Sequence, residues 1–379
     1  MKKIKLMHVI SNLSTGGAQI LLFDLIERLQ EVGGYEQVVV ALKGGNFQQK
    51  FSSLGVPVFV IDGPLSTYDP VFFYRFAHLV REQQPDCMHS VLWAANFLSR
   101  VVAWWYRIPL VQSLHNNLDQ NGSVRMFLDR LFSFYKTPVV AVSDGIVRSI
   151  DSHAPWMKKN NLVVIKNGIA VQDIRKKSTQ QPVTRASLGL EADHFVIGSV
   201  GRFEPVKNYS LLLTALALLY DKYHHARLVL VGYGSQEQFL RRRAFDLGIA
   251  DRVTFVVNQP GYGYYPLFNC FALSSYKEGI SLALLEAMSL GCPVVVTSSE
   301  REHDVVVHGH NGLMVMGNDS QALADAIATY IDNPTVAQSH GEQGVKTVQE
   351  SFDSSAMVSK YSYLYKKTID NSLGAFYSK

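Results

Sequence analysis

Cysteine is scarce in this chain. Its three residues, Cys87, Cys270 and Cys292, are far apart and odd in number. They offer neither a metal-knuckle spacing nor a disulfide framework, which fits a reducing compartment. Charge of one sign is equally lacking. The 36 Lys and Arg are nearly balanced by 32 Asp and Glu, leaving +4. That balance excludes nucleic acid as a partner and allows at most loose attachment to an acidic surface. No window approaches the apolar length of a membrane span. The opening MKKIKLMHVI carries an apolar run too short for a signal peptide, so it reads as a first strand, and a cytoplasmic protein is expected. The dinucleotide fingerprint G-x-G-x-x-G is missing too. Gly232-Tyr233-Gly234 is followed by Glu237 where a third glycine belongs, which argues against a nicotinamide-dependent dehydrogenase. Histidines do not cluster with ligand spacing. His224 and His225 are adjacent and point apart, and His303, His308 and His310 share a loop region with Asp304 in no recognisable pattern. No protein-bound metal is expected.

What is present is regular alternation. The chain has 379 residues, enough for two domains with their own cores. Buried apolar runs are expected as strands at 4–10, 38–42, 56–61, 86–89, 110–114, 139–142 and 163–165. Helical spacing lies between them at 18–29, 70–84, 93–105 and from Ser143 onward. The stretch VQDIRKKSTQQPVT (171–184) is polar, basic and without apolar periodicity, and reads as an interdomain linker. The alternation then restarts. Strands are expected at 195–200, 228–231, 253–257, 271–274, 293–296 and 313–316, and helices at 209–220, 236–247, 281–291, 322–331 and 357–369. The expected fold class is α/β, with two doubly wound Rossmann-like domains of parallel sheet facing across a cleft. The first domain would span 1–175 and the second 176–356, with a final helix in 357–379. In such sheets ligands bind beyond the carboxyl ends of the strands. The glycine loops at Gly16 and Gly232, His115, Arg202 and the loop of Glu278 all fall there.

The stretch Glu278 to Val296, EGISLALLEAMSLGCPVVV, organises the second half. Gly279 lets the backbone approach a ligand, Ser281 is a helix cap, and Gly291 suits a left-handed stop. The first-turn N–H groups lack helical partners and favour a phosphate. Glu278 and Glu286 are placed to hold hydroxyl groups on either side of such a phosphate, or are ordinary solvated glutamates. Arg202 and Lys207, in GSVGRFEPVKN after a buried strand, either supply a planar fork and a point charge that suit a diphosphate or are solvated surface cations. With no metal expected, a leaving phosphate would depend on these cations and the helix start. His115, at a strand end with Asn116 and Asn117, is either a donor to a sugar hydroxyl or a satisfied loop residue. Gly16 and Gly17 either open the backbone to a phosphate or make a tight turn.

Taken together these stretches resemble glycosyltransferase family 4, the large retaining group with the GT-B fold. Glu278 and Glu286 resemble its E-x7-E motif, and VGRFEPVKN its VGR…K element. LVLVGYG, HNGLMV, STGGAQ and VIKNGI resemble, in order, its strand and glycine turn, its NGxLV strand, its N-terminal glycine loop and its hinge-proximal turn. The sequence departs from the pattern in several places. Ile280 and Ser281 stand where an aromatic and a small residue are usual, Asn269 stands for Asp, Glu300 and Arg301 replace a Gly-Gly, and NQPGYGYY replaces a GF-type turn. These departures bear on the sugar rather than on the diphosphate.

The resemblance implies roles for matching residues. Arg202 and Lys207 would bind the donor diphosphate, Glu286 the ribose, and Glu278 the sugar hydroxyls. Gly279, Ile280 and Ser281 would offer backbone N–H groups, Gly17 would lie under the diphosphate, and His115 near the sugar. The last helix would cross back onto the first domain. The implied activity is a metal-independent, hexosyl-type retaining transfer from a nucleotide diphosphate sugar, used as substrate without a cofactor. The acceptor would be a glycan or lipid-linked hydroxyl in polysaccharide or lipopolysaccharide synthesis, met at the inner face of the membrane. Trp104, Trp105, Arg107 and MFLDRLFSFYK (126–136) read either as a membrane-contact surface or as a core helix. Two other readings share the architecture: a nucleotide-sugar binder without turnover, and a nucleotide-sugar epimerase.

Overall fold

The computed structural model describes residues 3–62, 69–116, 118, 122–180, 182–276, 280–298 and 304–377. The chain forms two compact units. Unit 1 comprises Met1–Gly168 and Ser354–Lys379, and unit 2 comprises Ile169–Asp353.

In unit 1 the β-branched and apolar runs become β1 (Ile4–Ile10), β2 (Tyr35–Ala41), β3 (Val58–Val60), β4 (Cys87–Val91), β5 (Leu110–Leu114), β6 (Val139–Ala141) and β7 (Leu162–Val164). All pair in parallel, in the order β3-β2-β1-β4-β5-β6-β7. The order reverses between β1 and β4, so the crevice for a ligand opens past their carboxyl ends. The helices include α1 (Gly17–Val32), α2 (Gln48–Ser53), α3 (Pro70–Gln83), α4 (Trp93–Tyr106), α5 (Ser123–Leu131) and α6 (Asp144–His153). Local chemistry sets several starts. Asp69 accepts a hydrogen bond from Val71 N at 2.9 Å with Pro70 in the first turn, and Ser143 accepts one from Ile146 N at 3.2 Å.

Unit 2 repeats the plan with α7 (Val171–Gln180), β8 (Phe195–Val200), α8 (Tyr209–Leu219), β9 (Ala226–Gly232), α9 (Glu237–Asp246), β10 (Val253–Val257), β11 (Cys270–Leu273), α10 (Leu282–Ser289), β12 (Val294–Ser298), β13 (Leu313–Met316), α11 (Ser320–Asp332) and α12 (Pro334–Ser351). Its parallel sheet runs β10-β9-β8-β11-β12-β13, reversing between β8 and β11. The last helix, α13 (Ser354–Tyr377), belongs to unit 1, where it lies beside α1 and over β4 and β5.

Polar groups help to seat α13. Tyr361 OH and Ser113 Oγ are 3.0 Å apart, Tyr365 OH and His89 Nδ1 2.9 Å, and Tyr35 OH and Ser362 Oγ 2.6 Å. His89 continues the chain of contacts to Ser113 Oγ at 2.8 Å and to His8 at 3.3 Å, and His8 reaches Gln37 Oε1 at 3.0 Å. Burial holds both rings neutral. It lowers His8 to about 4 and pushes His89 well below its usual range.

The structure differs from the sequence expectations in three segments. Residues 171–180, expected as irregular linker, form α7, with Val171, Ile174 and Ser178 buried. Two apolar side chains in ten residues gave too thin a stripe to register as helical. The chain leaves unit 1 earlier, at Gly168, and returns after Asp353. The crossing segments run side by side in unit 2, with Ile169 N donating to Phe352 O at 2.8 Å. Asn333-Pro334, expected only to end a helix, also opens α12, because proline's missing N–H costs nothing in a first turn. Gly341 lets α12 lie against Gly291, whose carbonyl oxygen would be 2.2 Å from a Cβ there.

Candidate active site

The crevice of unit 2 is assembled from the carboxyl ends of β8, β11 and β12. Three hydroxyls tie those ends together. Ser199 Oγ donates to Ala272 O at 2.7 Å, Ser274 Oγ to Lys207 O at 2.9 Å, and Thr297 Oγ1 to Ser275 O at 3.0 Å. Tyr276 N donates to Val206 O at 2.9 Å. The 3-10 turn Pro205–Lys207 is thereby fastened to the segment that runs on towards Ser281.

Glycine spacing locks the same loop from the other side. A Cβ on Gly232 would come within 1.9 Å of Gly201 O, and one on Gly234 within 2.5 Å of Phe203 O. Phe203 N donates to Tyr233 O at 2.7 Å. Gly232-Tyr233-Gly234 is therefore a clamp on the backbone that carries Arg202. Arg202 is exposed, and Lys207 is half-buried with its chain against Gly201. The Arg202 charge also acts on Glu204, whose carboxyl is held low chiefly by hydrogen bonds from Ser235 and further by Arg202.

α10 starts where the sequence placed it, with Ser281 as its extended cap residue and no acid in its first turn. The hydroxyl of Ser281 caps nothing. Its Oγ is buried and, among the described residues, has no hydrogen-bond partner. A buried hydroxyl left unpaired is costly, so the start of α10 has a donor waiting beside its unpaired backbone N–H groups. Ile280 is buried beside it. Glu278 and Gly279, the remaining members of the expected loop, lie outside the described residues, as do Asn117, Glu300, Arg301 and His303.

Glu286 is half-buried, one turn into α10, and Tyr265 OH donates to its Oε2 at 2.6 Å. Burial and that carboxylate push the Tyr265 hydroxyl well above its usual range, so it stays a donor. Tyr265 was not foreseen as a site residue. The signal available was the NQPGYGYY run, which folds into two 3-10 turns, with Gly261 close against Val200.

In unit 1, Gly16 is the extended cap of α1 and Gly17 its first residue. A Cβ on Gly17 would meet nothing within 4 Å, so the backbone there faces open space. The loop before it is held by side chains that sequence reasoning missed. Asn46 Oδ1 accepts from Thr15 N and Oγ1 at 3.0 and 3.1 Å, Gln19 Nε2 donates to Asn12 O at 3.0 Å, and Gly45 allows contact with the Leu13 backbone.

His115 follows β5, half-buried, and desolvation lowers it to about 4, so its ring is neutral near pH 7. It lines a cavity of about 130 Å³ with Asn116, Asn96, Trp93, Arg125, Arg100 and Asp129, among others. Arg100 and Asp129 are a buried pair at 3.3 Å. Trp93 Nε1 donates to Asp129 at 2.9 Å, and Arg100 Nε to Gln112 Oε1 at 3.1 Å.

Among the described residues, the group close enough to ligate one ion together is Glu191, Asp193 and His194. It precedes β8, at the wrong end of the strand for the crevice. His308 has a local duty, accepting from Met314 N at 3.0 Å.

Known proteins resemble this chain along most of its length. A model described as Glycosyl transferases group 1 matches residues 180–347, and one described as Glycosyltransferase Family 4 matches residues 15–173. The lipopolysaccharide core biosynthesis glycosyltransferase LpsD of Rhizobium meliloti is 25% identical over 97% of this chain and 99% of its own. The D-inositol 3-phosphate glycosyltransferase of Streptomyces coelicolor is 26% identical over 72% of this chain and 67% of its own. Among solved structures, Anabaena Alr3699/HepE in complex with UDP has a TM-score of 0.81 at 22% identity, covering 96% of this chain and all of that one. At that identity the likeness speaks for the fold.

Proposed function

The chain belongs to glycosyltransferase family 4, and from that premise we propose that it moves a sugar from a uridine diphosphate sugar to a hydroxyl of a glycan or lipid-linked acceptor in cell-surface polysaccharide or lipopolysaccharide synthesis. The observation that carries the donor half is the start of α10. A buried Ser281 hydroxyl, without a hydrogen-bond partner among the described residues, stands at the first turn of α10, and the Arg202–Lys207 turn is fastened to Ser274 and Tyr276 past the end of β11. Such a constellation suits an anion with several oxygens. UDP is the nucleotide named for the HepE complexes, and lipopolysaccharide core synthesis is the role named for LpsD.

In the proposed reaction the bond between the anomeric carbon and the diphosphate oxygen breaks with oxocarbenium character. Arg202, Lys207 and the α10 dipole stabilise the departing diphosphate without a metal ion. The acceptor oxygen bonds to the anomeric carbon from the same face, and its proton leaves on the diphosphate oxygen. Configuration is retained. Glu286 is occupied by Tyr265 and is assigned to the ribose, so it does not pair with Glu278 as the two carboxylates of a retaining glycosidase would. In unit 1, neutral His115 offers a donor for a sugar hydroxyl, and it lines a cavity of about 130 Å³. The protein works in the cytoplasm at the inner face of the membrane.

The test is a thermal-shift panel of UDP-, GDP- and ADP-sugars, with and without a chelator. At one hundred times its Kd a UDP-sugar stabilises by about 2.7 kcal/mol, and the chelator changes nothing. No shift with any nucleotide sugar overturns the reading.

A further inference from the structure

α5 is turned the wrong way for a surface helix. Its buried residue is the acid Asp129, at 3% exposure, while Val124, Phe127 and Leu131 are 67%, 65% and 54% exposed. Those three follow helical spacing and form one apolar stripe to the outside, whereas an ordinary surface helix turns such a stripe inward. The buried contacts of Asp129 with Arg100 and Trp93 fix this rotation.

The stripe has company. Trp104 and Trp105, at the end of α4, are 45% and 70% exposed, and Phe134 is 57% exposed. Phe134 packs edge-on against Trp104 with ring centres 5.6 Å apart. In the same stretch of chain Arg107, Arg125, Arg130 and Lys136 are exposed, with Arg125 over the Trp93 ring and Arg130 over the Trp156 ring. From Trp93 to Lys136 the sequence has only two acids, Asp119 and Asp129. Asp129 is buried, so none of the described acids in the segment faces solvent.

We infer that this face of unit 1, the α5 stripe with Trp104, Trp105 and Phe134, docks on an anionic lipid surface. Tryptophan rings and an apolar stripe enter the headgroup boundary, and the surrounding cations meet lipid phosphates. A second copy fits worse, because a twofold contact sets the same patch against itself and brings its cations together with no acid between them. The inference builds on the proposed function only in saying where a lipid-linked acceptor is met. Vesicle binding is read without any transfer.

The experiment is co-sedimentation of the full chain with vesicles of phosphatidylglycerol and phosphatidylcholine, and with phosphatidylcholine alone. Binding to the anionic vesicles is expected to be about tenfold stronger or more, and to fall as salt is raised. Phe127→Ser with Leu131→Ser lowers it by about tenfold or more, and Arg130→Gln with Lys136→Gln removes most of the preference for anionic lipid. Both double variants keep the wild-type thermal shift with UDP-glucose, which reports an intact fold and donor site. Equal partition into both vesicle types, wild-type binding by the Phe127/Leu131 variant, or a concentration-dependent dimer that the same substitutions abolish would each overturn the inference. A failed UDP-glucose shift in the wild-type chain would instead count against the donor site and leave the vesicle result standing.

Discussion

The central strands of unit 1 carry buried imidazoles where those of unit 2 carry a serine hydroxyl and a thiol. In unit 1, His8 and His89 face each other on β1 and β4, and Arg100 pairs with Asp129 under α5. In unit 2 the corresponding strands, β8 and β11, are apolar except for Ser199 and Cys270, and Ser199 Oγ donates to the Ala272 carbonyl. Hydroxyls of this kind are satisfied at short range and do not titrate near neutrality. Past the carboxyl ends of these strands, unit 2 presents charge on the Arg202–Lys207 loop and on α10. The lesson is that two sheets of one topology can divide the labour. One binds its elements together with groups that respond to pH and to loss of a partner. The other carries its buried imidazoles, His194 and His340, outside its strands and places Arg202 and Lys207 at the crevice.

The sharpest way to break this comparison is Asp129→Ala. It leaves the Arg100 guanidinium buried without its counter-charge and is expected to destabilise unit 1 by about 3–5 kcal/mol. Chemical denaturation with hydrogen exchange read on β4 and β5 checks this. A loss below about 1 kcal/mol would mean that the pair is effectively solvated.

Acid is next in size. Burial lowers His8 to about 4 and holds His89 well below its usual range, so between about 6.5 and 4 the unfolded chain takes up protons that the folded unit refuses. Stability is full above the unfolded value and falls with pH, by about 1.4 kcal/mol per pH unit for each ring. Amides of β1 and β4 are expected to lose protection before those of β8 and β11. The reverse order would refute the division. A smaller effect is expected for Tyr265→Phe, which takes the donor from Glu286 and weakens UDP-glucose binding by about tenfold. A calorimetric Kd within twofold of wild type would show that Glu286 needs no such support.

Much of the fold was legible because each buried strand is a compact β-branched or apolar run between turn residues. β1, β5, β8, β10 and β13 begin and end where their sequences say. The helices that were missed, or whose buried face was open to two readings, have physical reasons. α5 presents its apolar stripe outward and its acid inward, so periodicity alone does not say which face is core. α7 buries two apolar side chains, and α12 is polar with Gly341 and Gly344 inside it. In unit 2, the position of Ser281 at a helix start and of Arg202 and Lys207 past a strand end was legible because both positions have local signatures. The support given by Tyr265 to Glu286 spans 21 residues, and the clamp of Gly232 and Gly234 on the 201–203 backbone joins two strands. Neither has a local pattern to read.

The central claim is that the cations of the 202–207 loop and the start of α10 hold a nucleotide's diphosphate without a metal. Calorimetric titration of UDP-glucose into the wild-type chain and the Arg202→Ala/Lys207→Ala double variant, both in chelator, tests it most directly. The account predicts saturable binding by the wild type, weakened by about a hundredfold or more in the variant, with the two proteins melting alike in the absence of nucleotide. Equal affinities, or wild-type binding that appears only when a divalent cation is restored, would contradict it.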